Sequence, residues 1–411
     1  MPRLLLLIPV TSYRAHDFLA AAERLGVEVV VGSDQEQVLA EAGGGAAIRV
    51  DFADHEAGVF QIRALAETRP LDAILAVDDL ANVLAAKAAA ALDLPHNPAD
   101  AVWSARNKHR FRQRLAEAGL PGPEFRLVSV RDDPAAIARA APYPCVLKPL
   151  TLAMSRGVIR ADGHNSFVDA FHRVAAIIAA DDADTPGEAA DHILVEGYIE
   201  GTEYAVEGLI AGGELHVLAI FDKPDPLDGP YFEETIYVTP ARIDAAAKAQ
   251  IADGAARAVR AVGLTDGPVH IDLRLGPGGV QVIEVDARSI GGRCGRSLRF
   301  AGGMRLEDVI LRHAAGLPIA PEEAGAGGVM MIPIPGSGIL RGIEGLAAAE
   351  AVADVAEVSI TIPVGQRVLE LPEGSRYLGF IIAHGETPEA VTAALRQAHA
   401  ELSFDIEAAA G

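Results

Sequence analysis

Residues 267–288 constrain the fold more tightly than any other stretch of this chain. Val269, Ile271, Leu273 and Leu275 alternate with His270, Asp272 and Arg274, and beyond Gly276-Pro277-Gly278-Gly279 the residues Glu284, Asp286 and Arg288 fall at every second position. Period-two alternation marks strands with one polar face, so the segment reads as a hairpin. Its register is not free. A simple loop between Leu275 and Val280 sets Asp272 against Ile283 and buries a carboxylate among apolar neighbours, whereas an odd-length connection with Val280 in the loop sets Asp272 against Glu284. The second register is expected. It puts Val269, Ile271, Leu273, Ile283 and Val285 on the core face and His270, Asp272, Arg274, Glu284, Asp286 and Arg288 on the other.

Gathering Asp272, Glu284 and Asp286 costs about 4 kcal/mol per pair at ~4 Å in an effective dielectric near 20. A cation must offset that. Carboxylate oxygens without a thiolate or imidazole cluster point to Mg²⁺ or Mn²⁺, ions that bridge to phosphate oxygens, and Arg288 suits the same anion. A solvated strand face is the plainer alternative, and the shared parity of two paired strands weighs against it.

With 411 residues, half of them apolar, the chain is long enough for about three domains. Its 57 acidic residues outnumber 35 basic ones, a formal charge of −22 that disfavours nucleic acid or an anionic membrane as partner. Cys145 and Cys294 are the only cysteines, too few for a disulfide framework or a Cys-rich metal site. The apolar start is short and carries Pro9, and the Ala-rich stretch 80–94 is interrupted by Lys87 and Asp93. No signal peptide or membrane span is expected, and the expected location is cytoplasmic.

Up to about residue 100, β-like runs (4–9, 27–31, 73–77) alternate with helical periods (16–25, 55–67, 80–92), the signature of a parallel βαβ domain. The first strand is followed by Pro9-Val10-Thr11-Ser12-Tyr13, which lacks the glycines a dinucleotide fingerprint requires. Pro95-His96-Asn97-Pro98 sets a boundary near 100, followed by a basic amphipathic segment at 104–119. Paired strands dominate from 125 to about 315, with helices near 167–180 and 243–262. A Pro/Gly/Ala-rich stretch then leads into a C-terminal α+β region, 316–411, in which Thr387-Pro388 opens a helix. The expected fold is thus α/β and α+β in three domains, 1–100, 101–315 and 316–411. No internal repeat is present.

Lysine is scarce: Lys87, Lys108, Lys148, Lys223 and Lys248 are all there are, so each invites a question. Lys148 ends the run Cys145-Val146-Leu147 and precedes the loop 151–157, a layout suited to a phosphate cover beside a point charge; a strand-end lysine snorkelling to water is the alternative. Ala153-Met154-Ser155-Arg156-Gly157 lacks the first glycine of a nucleophile elbow, and no P-loop or HExxH is found. The stretch 193–207 forms an acidic hairpin whose strand edge could pair with a purine and whose carboxylate could take ribose hydroxyls.

Taken in order, Asn107-Lys108, Tyr143-Pro144-Cys145-Val146-Leu147-Lys148-Pro149, Val195-Glu196-Gly197-Tyr198-Ile199-Glu200-Gly201-Thr202-Glu203 and Ile283-Glu284-Val285-Asp286-Ala287-Arg288 resemble the ATP-grasp superfamily over about residues 100–315. Gly229-Pro230-Tyr231-Phe232-Glu233-Glu234 and Val269-His270-Ile271-Asp272 look most like the L-amino-acid ligases. The resemblance implies an ATP-dependent carboxylate–amine ligase. In it Lys108 and Lys148 hold the phosphates under the loop bearing Ser155 and Arg156, Glu196, Gly197 and Tyr198 line the adenine, and Glu203 takes the ribose. Asp272 and Glu284 ligate Mg²⁺, with Asp286 where the family usually has Asn.

The chemistry expected is phosphorylation of an acid by ATP followed by displacement by an amine. Lys148 and Arg288 would offset developing charge, and His270 would position or deprotonate the amine, a satisfied structural histidine being the alternative. Arg293, Arg296 and Arg299 either grip a substrate carboxylate or pair with the chain's surplus acids. Because acyl phosphates hydrolyse, a lid is expected from the loop 151–157 and the region after 316. Two competing readings are a biotin-carboxylase-like enzyme and an ATP-binding regulatory protein without turnover. Met154 is followed by Ser155, so no biotin-acceptor tripeptide is present. Partners are expected to be small acids and amines, by default small apolar amino acids, with a homodimer as the assembly to test.

Overall fold

A computed structural model of the chain describes residues 1–35, 47–181 and 187–408. The N-terminal strands Arg3–Leu7, Glu28–Ser33, Ala47–Arg49 and Ala73–Ala76 make a four-stranded parallel sheet with Arg3–Leu7 inside it. Leu5 and Leu7 are buried beneath the helices His55–Thr68 and Asp79–Ala91, while Leu4 and Leu6 face Phe18 of the helix Ala15–Leu25. A strand buried on both faces explains why its sequence is an unbroken leucine run.

The basic segment holds the end of the helix Ala99–Arg106 and all of the helix Lys108–Glu117. Asn107 stands extended between them, and its side chain accepts from the backbone N–H groups of His109 and Arg110, both at 3.1 Å. An Asn cap satisfies orphan donors that a continuous helix would not have, and here it fixes Lys108 in the first turn.

Two antiparallel sheets form the centre. The smaller runs in the order Phe125–Ser129, His192–Gly197, Cys145–Pro149, Ile159–Ala161, with the helix His164–Ala179 burying Phe167, Phe171 and Val174 against Leu147 and Val195. The larger has eight strands in the order Gly279–Asp286, Gly267–Gly276, Thr202–Ala211, Glu214–Asp222, Ile236–Thr239, Ala326–Ile332, Gly379–Gly385, Val355–Ile360. Its last three strands come from the far side of residue 315, so the C-terminal region shares a sheet with the central one. A further three-stranded sheet and the helix Pro388–Ala400 complete that region, with Thr387 Oγ1 capping the helix by accepting from Ala390 N–H at 3.2 Å.

In the hairpin, Asp272 does lie opposite Glu284 and His270 opposite Asp286. The device differs from the expected one. Leu275 pairs with Val280 and Gly276 with Gly279, the tight loop that would have set Asp272 against Ile283, and a bulge between Asp272 and Leu273 then absorbs one residue of the partner strand. The core face is corrected accordingly: Val282 is buried with Val269, Ile271, Leu273 and Val285 under the helix Ala245–Val262, and Ile283 turns to the opposite side.

Candidate active site

A cleft lies between the two antiparallel sheets. Val146, Lys148, Glu196, Gly197 and Tyr198 come from the small sheet, Glu203, Asp272, Arg274, Ile283 and Glu284 from the large one, and Leu152, Ala153, Met154 and Ser155 from the loop above. Leu227 and Phe232 also line it. The bulged hairpin thus presents both Ile283 and Glu284 to the cleft, where the longer loop of the expected register would have pointed Ile283 into the core.

Lys148 is buried, not snorkelling. It forms an ion pair with Glu196, whose carboxylate also takes Arg112 Nε at 2.6 Å and Nη2 at 3.1 Å. Burial works to raise the Glu196 pKa, but Arg112 and Lys148 hold it down at about 2; burial likewise lowers that of Lys148 against the pull of Glu196. Glu196 is thus spent on two cations, and what it offers a base is the adjoining strand end at Gly197 and Tyr198. The Tyr198 ring lies under Arg160 and Arg274, 4.2 and 4.8 Å from their guanidinium carbons, and near Phe232 at 6.4 Å. Lys108 Nζ donates to Leu152 O at 2.9 Å and sits 3.6 Å from Glu284.

Lys223 organises the other side. Its ammonium lies 2.7 Å from each of Glu203, Glu234 and Asp272, whose carboxylate oxygens come within 4.8 Å of one another. Burial would lower the Lys223 pKa, but three carboxylates hold it well above the ordinary value. Asp272 is kept well below the carboxylate range by Lys223 and His270 despite its burial. His270 stands between Glu207 at 3.4 Å and Asp272 at 3.5 Å; burial opposes its charge, yet the two acids raise its pKa to about 10. The two acids therefore favour its charged form.

A second cavity adjoins the cleft. Lys108, Leu152, Met154, Glu234, Asp272 and Glu284 line both, and the second is completed by Tyr13, Asp78 and Asp79 of the N-terminal domain, by Asp286, Arg288 and Gly292, and by Met331 and Tyr377. Arg288 is held at 2.7 Å by Asp79 and at 2.9 Å by Asp286. Burial pushes the Asp286 carboxyl up to about 7, with Arg288 opposing and Asp79 and Glu284 adding to the rise. The three expected metal carboxylates are therefore not equivalent, because Asp286 faces the second cavity and is engaged by Arg288.

One further expectation is corrected, and one pair of alternatives is decided for pairing with acids. Arg156 lines neither cavity: its Nη1 is 2.7 Å from Asp181 and its Nε donates to Glu373 O at 3.2 Å. Arg293 and Arg296 are spent on Glu357, and Arg296 also on Asp17, while Arg299 donates to the carbonyls of Arg296 and Leu298; none of the three lines the cavities. Arg112, Lys223, Glu234, Arg274 and Asp79 went unassigned by the sequence reading. Lys223 carried the rarity of lysine, Arg274 the polar parity of the hairpin and Glu234 its place in the ligase-like segment 229–234, whereas Arg112 and Asp79 carried no signal.

All-carboxylate donors fit a hard divalent ion better than any other metal, and Asp272 and Glu284, paired across the hairpin beside Lys108, offer such oxygens. Among the described residues no helix is long and apolar enough to cross a membrane.

Comparison with known proteins identifies the fold. Family models described as ATP-grasp N-terminal domain, ATP-grasp domain and L-amino acid ligase C-terminal domain 2 match residues 19–96, 141–297 and 330–407. Over 277 residues the chain is 30% identical to the alanine–anticapsin ligase of Bacillus subtilis (strain 168), covering 62% of this chain and 57% of that one. Carnosine synthase 1 of Gallus gallus is 29% identical over 279 residues, 64% of this chain and 29% of its own. The chain thus spans little more than half the length of the first of these relatives, and less of the second. The crystal structure of an L-amino acid ligase from Bacillus licheniformis superposes with a TM-score of 0.83 at 28% identity, covering 99% of each chain. The chain belongs to the ATP-grasp superfamily, with a C-terminal domain of the L-amino acid ligase type.

Proposed function

We propose that this chain is an ATP-dependent ligase that joins the carboxylate of one amino acid to the amine of another, releasing ADP and phosphate. The observation that carries this reading is the meeting of two cavities at Lys108, Asp272 and Glu284: one has an apolar slot and two lysines, the other a fixed arginine and a mixed apolar and acidic lining. A carboxylate is a poor electrophile, and phosphorylation gives it a leaving group.

In this reading the slot of Val146, Ile199, Leu227, Phe232 and Ile283 receives the base, and Glu203 reaches the ribose. Lys108 and Lys148 meet the phosphates as point charges, Lys148 kept cationic by Glu196. Asp272 and Glu284 would hold Mg²⁺ or Mn²⁺, whose contribution when bound is to neutralise phosphate charge. Arg288, pre-aimed by Asp79 and Asp286, steadies the acyl phosphate and then the carbonyl oxygen on which negative charge grows as the amine adds. His270 acts by charge and position, holding Asp272 in place.

The test is a coupled ADP-release screen over paired amino acids with Mg²⁺ present. ADP formation that needs both an acid and an amine, and that is lost in Glu284→Ala, is expected. Turnover unchanged in that variant, or ADP formation indifferent to every acid and amine, would overturn the assignment.

A further inference from the structure

The loop that roofs the nucleotide cleft is fastened to a part of the chain more than two hundred residues away. Past Ser155, Gly157 N–H donates to Pro372 O at 2.9 Å, and Arg156 Nε donates to Glu373 O at 3.2 Å. The Glu373 carboxylate in turn receives both Nε and Nη2 of Arg173, at 2.5 and 2.7 Å. Arg173 belongs to the helix His164–Ala179 that backs the small sheet, and its remaining nitrogen reaches the hydroxyl of Tyr231, over whose ring its guanidinium lies at 5.0 Å. Tyr231 itself bridges to Ile159, at the far end of the roofing loop. Helix, loop and edge strand of the small sheet therefore converge on one turn of the C-terminal region. Four residues along, Tyr377 lines the second cavity, and Met154 of the loop touches both cavities.

A two-pronged guanidinium–carboxylate contact is directional, so it fixes orientation as well as distance. We infer that Glu373, with Arg173, is a positioning residue: the pair is a latch that holds the C-terminal turn against the helix His164–Ala179, which keeps the turn's Pro372 and Glu373 carbonyls in place to fasten the phosphate cover, so that the roof of the nucleotide cleft and the Tyr377 wall of the second cavity move as one body. The inference rests on the nucleotide reading of the cleft. Its consequence is that the cover cannot lift while the latch is closed. A substrate packed beneath Tyr377 steadies the latch and keeps water from the activated acid until the amine attacks. With the latch broken, water attacks the acyl phosphate in place of the amine and returns free acid and inorganic phosphate, so ATP is spent without an amide bond.

The experiment uses the full chain with Glu373→Gln and Arg173→Met, and with Glu373→Asp as the conservative variant. Release of a fluorescent ADP analogue, followed by stopped flow with Mg²⁺ present and no turnover, is expected to be about fivefold faster in the first two, the scale of a partly exposed ion pair. Glu373→Asp should recover part of the difference. Phosphate released per amide formed should rise above one to one in the same two variants, with kcat for ADP formation less affected than amide yield. If the parent binds the analogue and neither variant releases it faster, the latch is refuted and the nucleotide reading stands. A parent that binds no nucleotide refutes both.

Discussion

Replacing Lys223 by Met tests the electrostatic centre of the site. The substitution roughly keeps the stem and deletes the ammonium that sits 2.7 Å from Glu203, Glu234 and Asp272. Three carboxylates whose oxygens lie within 4.8 Å then face one another. At about 5 Å in an effective dielectric near 20, each pair repels by about 3 kcal/mol. The folded chain limits this cost by binding a proton. Glu234 is the ready acceptor, since burial already raises its pKa while Lys223 opposes the rise and Asp272 adds to it. A carboxylate whose folded pKa lies above its unfolded value contributes stability that is complete below the unfolded pKa and is lost as pH rises through the folded one. The variant should therefore sit close to the parent near pH 5 and fall behind it by about 3–5 kcal/mol near pH 8, a drop in Tm of roughly 5–10 °C. Mg²⁺ should raise the melting temperature of the variant more than that of the parent, because the cradle no longer holds an internal cation. Thermal melts at both pH values, with and without MgCl₂, measure this directly. A variant that melts with the parent at every pH, and gains no more from Mg²⁺, would refute the cradle.

Glu196→Gln should flatten the acid limb of the stability curve. The Glu196 pKa of about 2, against 4.5 unfolded, contributes about 3 kcal/mol that is present above the unfolded value and lost as pH falls towards the folded one; an unchanged acid midpoint would count against the Arg112–Glu196–Lys148 cluster. Gly201→Ala should lower Tm far more than Gly212→Ala, since Gly201 has φ +122° and an added Cβ would lie 2.6 Å from Leu275 O, whereas Gly212 faces open space; equal melting temperatures would contradict the packing. Burial pushes the Cys145 thiol up to about 12 and raises that of Cys294, so neither should take up iodoacetamide near pH 8 until the chain unfolds, as mass spectrometry can determine.

Much of the site was legible because it rests on local parity. Asp272 against Glu284 followed from the demand that each hairpin face be self-consistent, and the pairing is as expected. The route to it was not legible, because a bulge spends a residue inside the strand and leaves the same alternation on either side as a longer loop would. That ambiguity misassigned Ile283. Arg112 meets Glu196 across 84 residues and Arg288 meets Asp79 across 209, contacts that no periodicity announces. Lys223 stood out by rarity alone, and its three partners come from separate strands and a loop. The C-terminal region was readable as α+β, but strand order is set by pairings between distant segments, so its union with the central sheet was not.

That union bears on how such a chain can be cut and recombined. Ala326–Ile332 lies hydrogen-bonded along Ile236–Thr239, and severing the chain between them would bare a long apolar strand border on each fragment, an invitation to self-association. Chimaeras meant to exchange substrate preference should therefore leave the junction at 315 uncut.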